Sequence, residues 1–326
     1  MNASRLMGAD EVAERISSGR FLSLAGDEAL LRSLPRGNWI AGTIPYFIDA
    51  EGGRTSRNQV FVTEIPMFDD APRVVEYDAE TIARVCLDAP DHGYSLIILP
   101  AFSAVHSTFA RNAPEFENMY LSPLAGWVSG VHLDDLGRAS PLVANGLSGR
   151  FSGDTAVVVH VPLPAEMIAH VDIINPYAPG EGEEIRFSAT GFSATDCSIG
   201  GRGANLADYL TQRGIDTRLP LVADYQGAMI NVSIKAVDPV RRLVEFYAPV
   251  FEGVGYRVAA PAAGAELMTA KPHTPGTAAF SCSCVLNDLY HGLEGRGAGA
   301  LRGPVTFGEV AYQLLNQTSV FLTIEG

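Results

Sequence analysis

The chain has 326 residues, 47 % of them hydrophobic and 18 % charged, which is long enough for about two domains and too apolar for intrinsic disorder. Its 37 acidic residues outnumber 23 basic ones, and the resulting formal charge of -14 repels nucleic-acid phosphates and anionic membrane surfaces. Lys235 and Lys271 are the only lysines, and no Lys/Arg cluster offsets the acidity, so neither nucleic acid nor membrane is expected as a partner.

Residues 1–20 have no apolar core and carry Asp10, Glu11 and Glu14, so no secretory leader is expected. No later apolar run approaches the ~18 residues of a membrane span. Four cysteines, Cys86, Cys197, Cys282 and Cys284, are too few for a disulfide framework and are expected as reduced thiols. A cytoplasmic protein follows from these readings.

In chain order, Val12, Ala13 and Ile16 fall at helical spacing over 10–17, and Gly19 can stop that helix. A short apolar piece, 21–25, precedes a second helix from the N-cap candidate Asp27 to Leu34, ended by Pro35. The run 38–48 reads as a buried strand interrupted at Gly42 and Pro45. Strands are expected at 59–65, 74–77 and 95–99, with helices at 78–87 and 104–112. The stretch 115–138 has no decisive periodicity.

Strands predominate from Pro141 onward, at 141–145, 155–161, 170–175 and 185–189. The Pro/Gly/Glu stretch 176–184 reads as a linker or long hairpin turn. A helix over 205–213 ends at Gly214, followed by strands at 221–225, 229–237, 243–249 and 256–259. The chain closes with a strand at 278–282, a helix at 285–290 and a strand at 319–324. The expected class is α/β, with two mixed α/β lobes at 1–165 and 166–326 and a strand-rich middle.

No Walker A loop, His-Glu-x-x-His, Gly-x-Ser-x-Gly elbow or Cys-x-x-Cys pair occurs. Gly200-Gly201-Arg202-Gly203 lacks the full dinucleotide spacing. Cys282-Ser283-Cys284 lies between an apolar strand and a helix. That position could suit a thiolate or metal ligand, but the reading preferred here is two small buried residues at a tight turn. Seven histidines (His92, His106, His132, His160, His170, His273 and His291) are scattered; His160, inside an apolar run, reads as a hydrogen-bonded core residue.

The most unusual string is 303–310, followed by Leu315-Asn316-Gln317-Thr318. Gly308 permits a close backbone approach, Glu309 can anchor an amino group, and Asn316 with Thr318 can satisfy a polar ligand. The alternative is an internal hydrogen-bond hub tying the C-terminal strand to a loop.

Gly308-Glu309-Val310 and Asn316-Gln317-Thr318 resemble the Gly-Glu-Ile loop and Asn-Gln-Thr strand start of the FIST family of bacterial sensory domains. Leu221-Val222-Ala223-Asp224-Tyr225 with Gly227, Ala248-Pro249-Val250 with Glu252-Gly253, Tyr256-Arg257, and Phe280-Ser281-Cys282 follow the same family order. Asn38-Trp39-Ile40-Ala41-Gly42-Thr43 resembles the strand and glycine turn of its first domain. Cys284-Val285-Leu286-Asn287 departs from the Gly-Arg that often follows the family's Cys motif.

The resemblance implies a small-molecule-binding protein of sensory type, with an amino acid or similar polar metabolite as ligand and a separate signalling partner protein. Expected ligand-binding residues are Trp39, Gly42, Thr43, Tyr46, Cys282, Asn287, Gly308, Glu309 and Asn316. No cofactor or metal is expected. One alternative is a cysteine-dependent hydrolase or transferase using Cys282 or Cys284, with His291 or Glu309 as base. Another is a haem-binding gas sensor using one of the histidines.

Overall fold

The computed structural model describes residues 4–225, 228–262, 271–292 and 299–326, without the side chain of His291. It is a mixed α/β protein in which strands dominate. The chain forms two compact units, one of residues 1–174, 267–314 and 319–326, the other of 175–266 and 315–318.

The expected split into 1–165 and 166–326 is therefore replaced by a discontinuous arrangement. Ser319–Glu325 pairs antiparallel with both Ile168–Ile174 and Thr277–Cys284, and these backbone ladders draw the C-terminal stretch into the first unit.

The first unit contains three six-stranded sheets. In one, the order is Arg5–Met7, Val60–Ile65, Phe21–Gly26, Trp39–Thr43, Val143–Asn145 and Arg150–Ser152; the central 21–26 and 39–43 strands run parallel. Alternation along strand 39–43 assigns its two faces. Trp39 and Ala41 join Val12, Ile16 and Leu31 of helices Ala9–Ser17 and Glu28–Ser33 in one apolar cluster. Gly42 faces the other way, against Ile98 and Trp127 of the next sheet.

That sheet runs Gln313–Leu315, Glu309–Ala311, Leu124–Ser129, Gly93–Pro100, Ala156–Pro162 and Arg73–Tyr77, with the 93–100 and 124–129 strands parallel. The third comprises Ile168–Ile174, Ser319–Glu325, Thr277–Cys284, Gly303–Thr306, Tyr46–Asp49 and Gly52–Thr55.

In the second unit, Ile185–Arg186, Asp196–Ile199, Arg202–Asn205, Leu221–Tyr225, Ala228–Val232 and Gly255–Pro261 form one sheet, with Tyr177–Pro179 paired to the 255–261 strand. Gly191–Ala194, Leu243–Val250 and Ile234–Asp238 form another. Helix Leu206–Gln212 contributes Leu206, Ala207 and Leu210 to the unit's core, and Asn205 caps it by accepting from the Asp208 amide.

Several local expectations change. The helix expected at 78–87 contracts to a 3-10 turn, Ile82–Arg84, although Asp78 Oδ1 caps its start by accepting from the Glu80 and Thr81 amides. Of the two strand breaks expected in 38–48, the one at Pro45 is found, between Trp39–Thr43 and Tyr46–Asp49, whereas Gly42 stays inside the first strand. The 229–237 strand divides at Ser233, whose hydroxyl donates to Gln317 Oε1 at 2.7 Å. Gly200 and Gly201, at φ 56° and 78°, make a tight hairpin turn rather than a phosphate loop. No helix among the described residues is long and apolar enough to cross a membrane.

Candidate functional site

A cleft of about 200 Å³ opens in the first unit, lined by Asp27 and Glu28, Thr43 to Pro45, Arg57, Gly130 to His132, Asp135, Ala139 and Ser140. Its location follows from topology. Asp27 succeeds strand 21–26, Ile44 succeeds strand 39–43, and Gly130 succeeds strand 124–129, so the lining gathers at the carboxyl ends of strands that have parallel neighbours. Open α/β sheets commonly hold ligands at such ends, where the chain leaves the ladder and its polar groups become available.

Short hydrogen bonds fix the frame. Gly130 N donates to Thr43 O at 2.7 Å, and Thr43 Oγ1 donates to Gly130 O at 2.8 Å, joining the two strand exits reciprocally. The same Thr43 hydroxyl accepts from Leu142 N at 2.9 Å. Tyr46 OH accepts from Leu133 N at 2.8 Å, and its ring lies 5.5 Å from that of His132. Burial pushes the Tyr46 hydroxyl above its ordinary value, which keeps it protonated. Across the cleft Arg57 pairs with Asp135 at 2.7 Å, and the Asp27 carboxylate caps helix Glu28–Ser33 by accepting from Ala29 N at 3.1 Å.

Of the residues expected to bind ligand, Thr43 lines this cleft and Tyr46 braces its loop. Trp39 does not: it is buried in the helix-packed core, and its indole donates to Pro35 O at 2.9 Å. Gly42 is covered, since a β-carbon there would lie 2.6 Å from the Trp127 ring and 2.7 Å from Ile98.

Cys282, Asn287, Gly308 and Glu309 form a separate buried region. Thr306 Oγ1 lies 3.2 Å from Ser283 O, 3.0 Å from Gly308 O and 3.4 Å from Glu309 Oε1. Asn287 Nδ2 donates to Ser283 Oγ at 3.2 Å, and Ser319 Oγ reaches the same oxygen at 3.1 Å. This is the internal hub that ties the C-terminal strand to its neighbours. Asn316 belongs to the second unit, where its Nδ2 donates to Leu315 O at 3.0 Å.

Burial disfavours a thiolate at Cys282. Cys282 is fully buried, and desolvation first, then the nearby Glu309 charge and Cys284, push its thiol well above the ordinary cysteine value. The helix that Cys284 precedes, Val285–His291, does not reverse that order for Cys282. The side chain of His291 lies outside the described residues. His160 is a core histidine as expected, between Tyr77 OH at 3.0 Å and Ser95 Oγ at 2.8 Å. Among the described residues, no group of three or more His, Cys, Asp or Glu side chains could hold a metal ion.

Sequence reasoning passed over Arg57, Gly130, His132 and Asp135 as site residues. Three of them fall within 115–138, where periodicity is mute; the usable signal was Ser129-Gly130 after the apolar run 124–128.

A model of a family of unknown function (DUF6976) matches residues 7–325. No curated protein matches the chain.

Proposed function

The chain belongs to that family of unknown function (DUF6976), and on this footing we propose that the protein is a non-catalytic binder of a small polar metabolite, held in the cleft at the carboxyl ends of strands 21–26, 39–43 and 124–129. The observation that carries the reading is the cleft itself: charged side chains line a preorganised backbone frame in which the Thr43 hydroxyl and the Gly130 amide are already committed to structure. About 200 Å³ leaves room for on the order of seven waters, below the usual range of drug-sized pockets, so the ligand is of metabolite size.

The resemblance of 308–310 and 316–318 to FIST domains supports a sensory role, with an amino acid or similar molecule as ligand and a separate protein as output. Four buried cysteines that form no disulfide support a cytoplasmic setting. The buried, protonated state favoured for Cys282 argues against the cysteine-dependent alternative.

The test is a thermal-shift screen of the full chain against amino acids and polar metabolites, with calorimetry on each hit. Ala139→Trp places a large side chain into the cleft from an exposed position and is expected to abolish the heat of binding while leaving the melting temperature of the free protein unchanged within about 2 °C. A blank screen, or hits indifferent to Ala139→Trp, would remove the proposal.

A further inference from the structure

The charges around the cleft restrict what can occupy it. Its lining carries three carboxylates, Asp27, Glu28 and Asp135, against one guanidinium, Arg57. His132 also lines the cleft, its Nδ1 accepting from the Asp134 amide at 3.2 Å and lying 3.6 Å from the Asp134 carboxylate.

The partners of these groups are unequal. Glu28 is answered by Arg32 at 2.7 Å, on its own helix. Arg57 is engaged with Asp135 at 2.7 Å, so an incoming carboxylate would have to compete with a carboxylate already in place. The helix start at the cleft offers no anion site either, since Asp27 itself caps it. Asp27 has no cationic partner among the described residues, and no side chain beyond the helix it caps claims its charge. The chain as a whole carries -14, a field that concentrates cations and depletes anions at its surface.

We infer that the ligand of this cleft is a protonated amine that carries no carboxylate, an alkylamine or diamine, with its ammonium group held by Asp27 and the Arg57–Asp135 pair left intact beside it. The inference rests on the ligand-binding reading above and narrows it, setting aside the amino acids named there: an ammonium donates hydrogen bonds and supplies the missing positive charge, whereas a zwitterion brings a carboxylate to a lining whose guanidinium, Arg57, is already paired. Room for on the order of seven waters suits a chain of a few carbons.

Calorimetry of the full chain with propylamine, putrescine, glycine and propionate tests this. The two amines are expected to bind, and propionate and glycine to bind at least tenfold more weakly. Asp27→Asn keeps a capping side chain at the helix start but removes the charge, and is expected to weaken propylamine by about tenfold with the melting temperature unchanged. Asp135→Asn releases Arg57 and is expected to bring propionate into the measurable range.

Propionate or glycine binding as tightly as propylamine, or Asp27→Asn leaving propylamine unaffected, would overturn the amine assignment. Blockade of those ligands by Ala139→Trp would still uphold the cleft as the binding site. Silence from all four probes overturns the amine assignment as well; the broader reading falls only if the wider metabolite screen is also silent.

Discussion

Gly42 and Trp127 meet with no room between them: a β-carbon on the glycine would stand 2.6 Å from the indole. Trp127 also lies opposite Glu309 in the antiparallel pair of strands 124–129 and 309–311. The glycine-bearing strand near the N-terminus and the Gly308-Glu309 string near the C-terminus thus converge on one buried side chain, and what they enclose is packed core. The cleft lies one residue farther along strand 39–43, where Thr43 leaves the sheet.

Gly42→Ala is expected to destabilise the protein by about 1–3 kcal/mol, because strand, indole and Ile98 must all shift to admit one methyl. Gly203→Ala provides the contrast, since nothing lies within 4 Å of a β-carbon there, and should change stability by less than about 0.5 kcal/mol. Urea denaturation of the two variants checks both, and equal effects would contradict the packing described.

Acidification should loosen the fold before carboxylates titrate. Burial lowers both His106 and His160 from 6.5 to about 4. Below pH 6.5 the unfolded chain takes up protons that the folded chain refuses, so stability declines from pH 6.5 toward pH 4 and this contribution levels off below that. The full effect is on the order of 3 kcal/mol per histidine. Melting temperatures measured between pH 7 and 5 should fall in the parent and fall less steeply in His160→Asn; parallel profiles would show that His160 does not titrate in this way.

Native thiols should be silent toward a disulfide reagent at pH 7. All four cysteines are buried, and desolvation raises Cys86 and Cys197 to about 11 and Cys282 well above its ordinary value. Labelling is expected to be at least about a hundredfold slower than for a free peptide cysteine and to reach four thiols per chain only after denaturation. One fast thiol in the native protein would restore the cysteine-nucleophile alternative.

What the chain's own order of residues determined is local. Asp27 before an apolar helical pattern marked a capped helix start, and the histidine in the valine run 157–161 marked a hydrogen-bonded core position; both are found. Side-chain periodicity and capping chemistry act over a few residues, so they are readable without coordinates. The discontinuous first unit was not readable, because pairing of 319–325 with 168–174 joins backbones about 150 residues apart through bonds common to every sequence. Nor was the cleft. Asp27, Thr43, Arg57, Gly130 and Asp135 carry no shared motif; only the parallel register of strands 21–26 and 39–43, and the Thr43–Gly130 bonds, bring their charges to one rim. Residue chemistry supplied the ingredients, and long-range strand pairing decided which of them face one another.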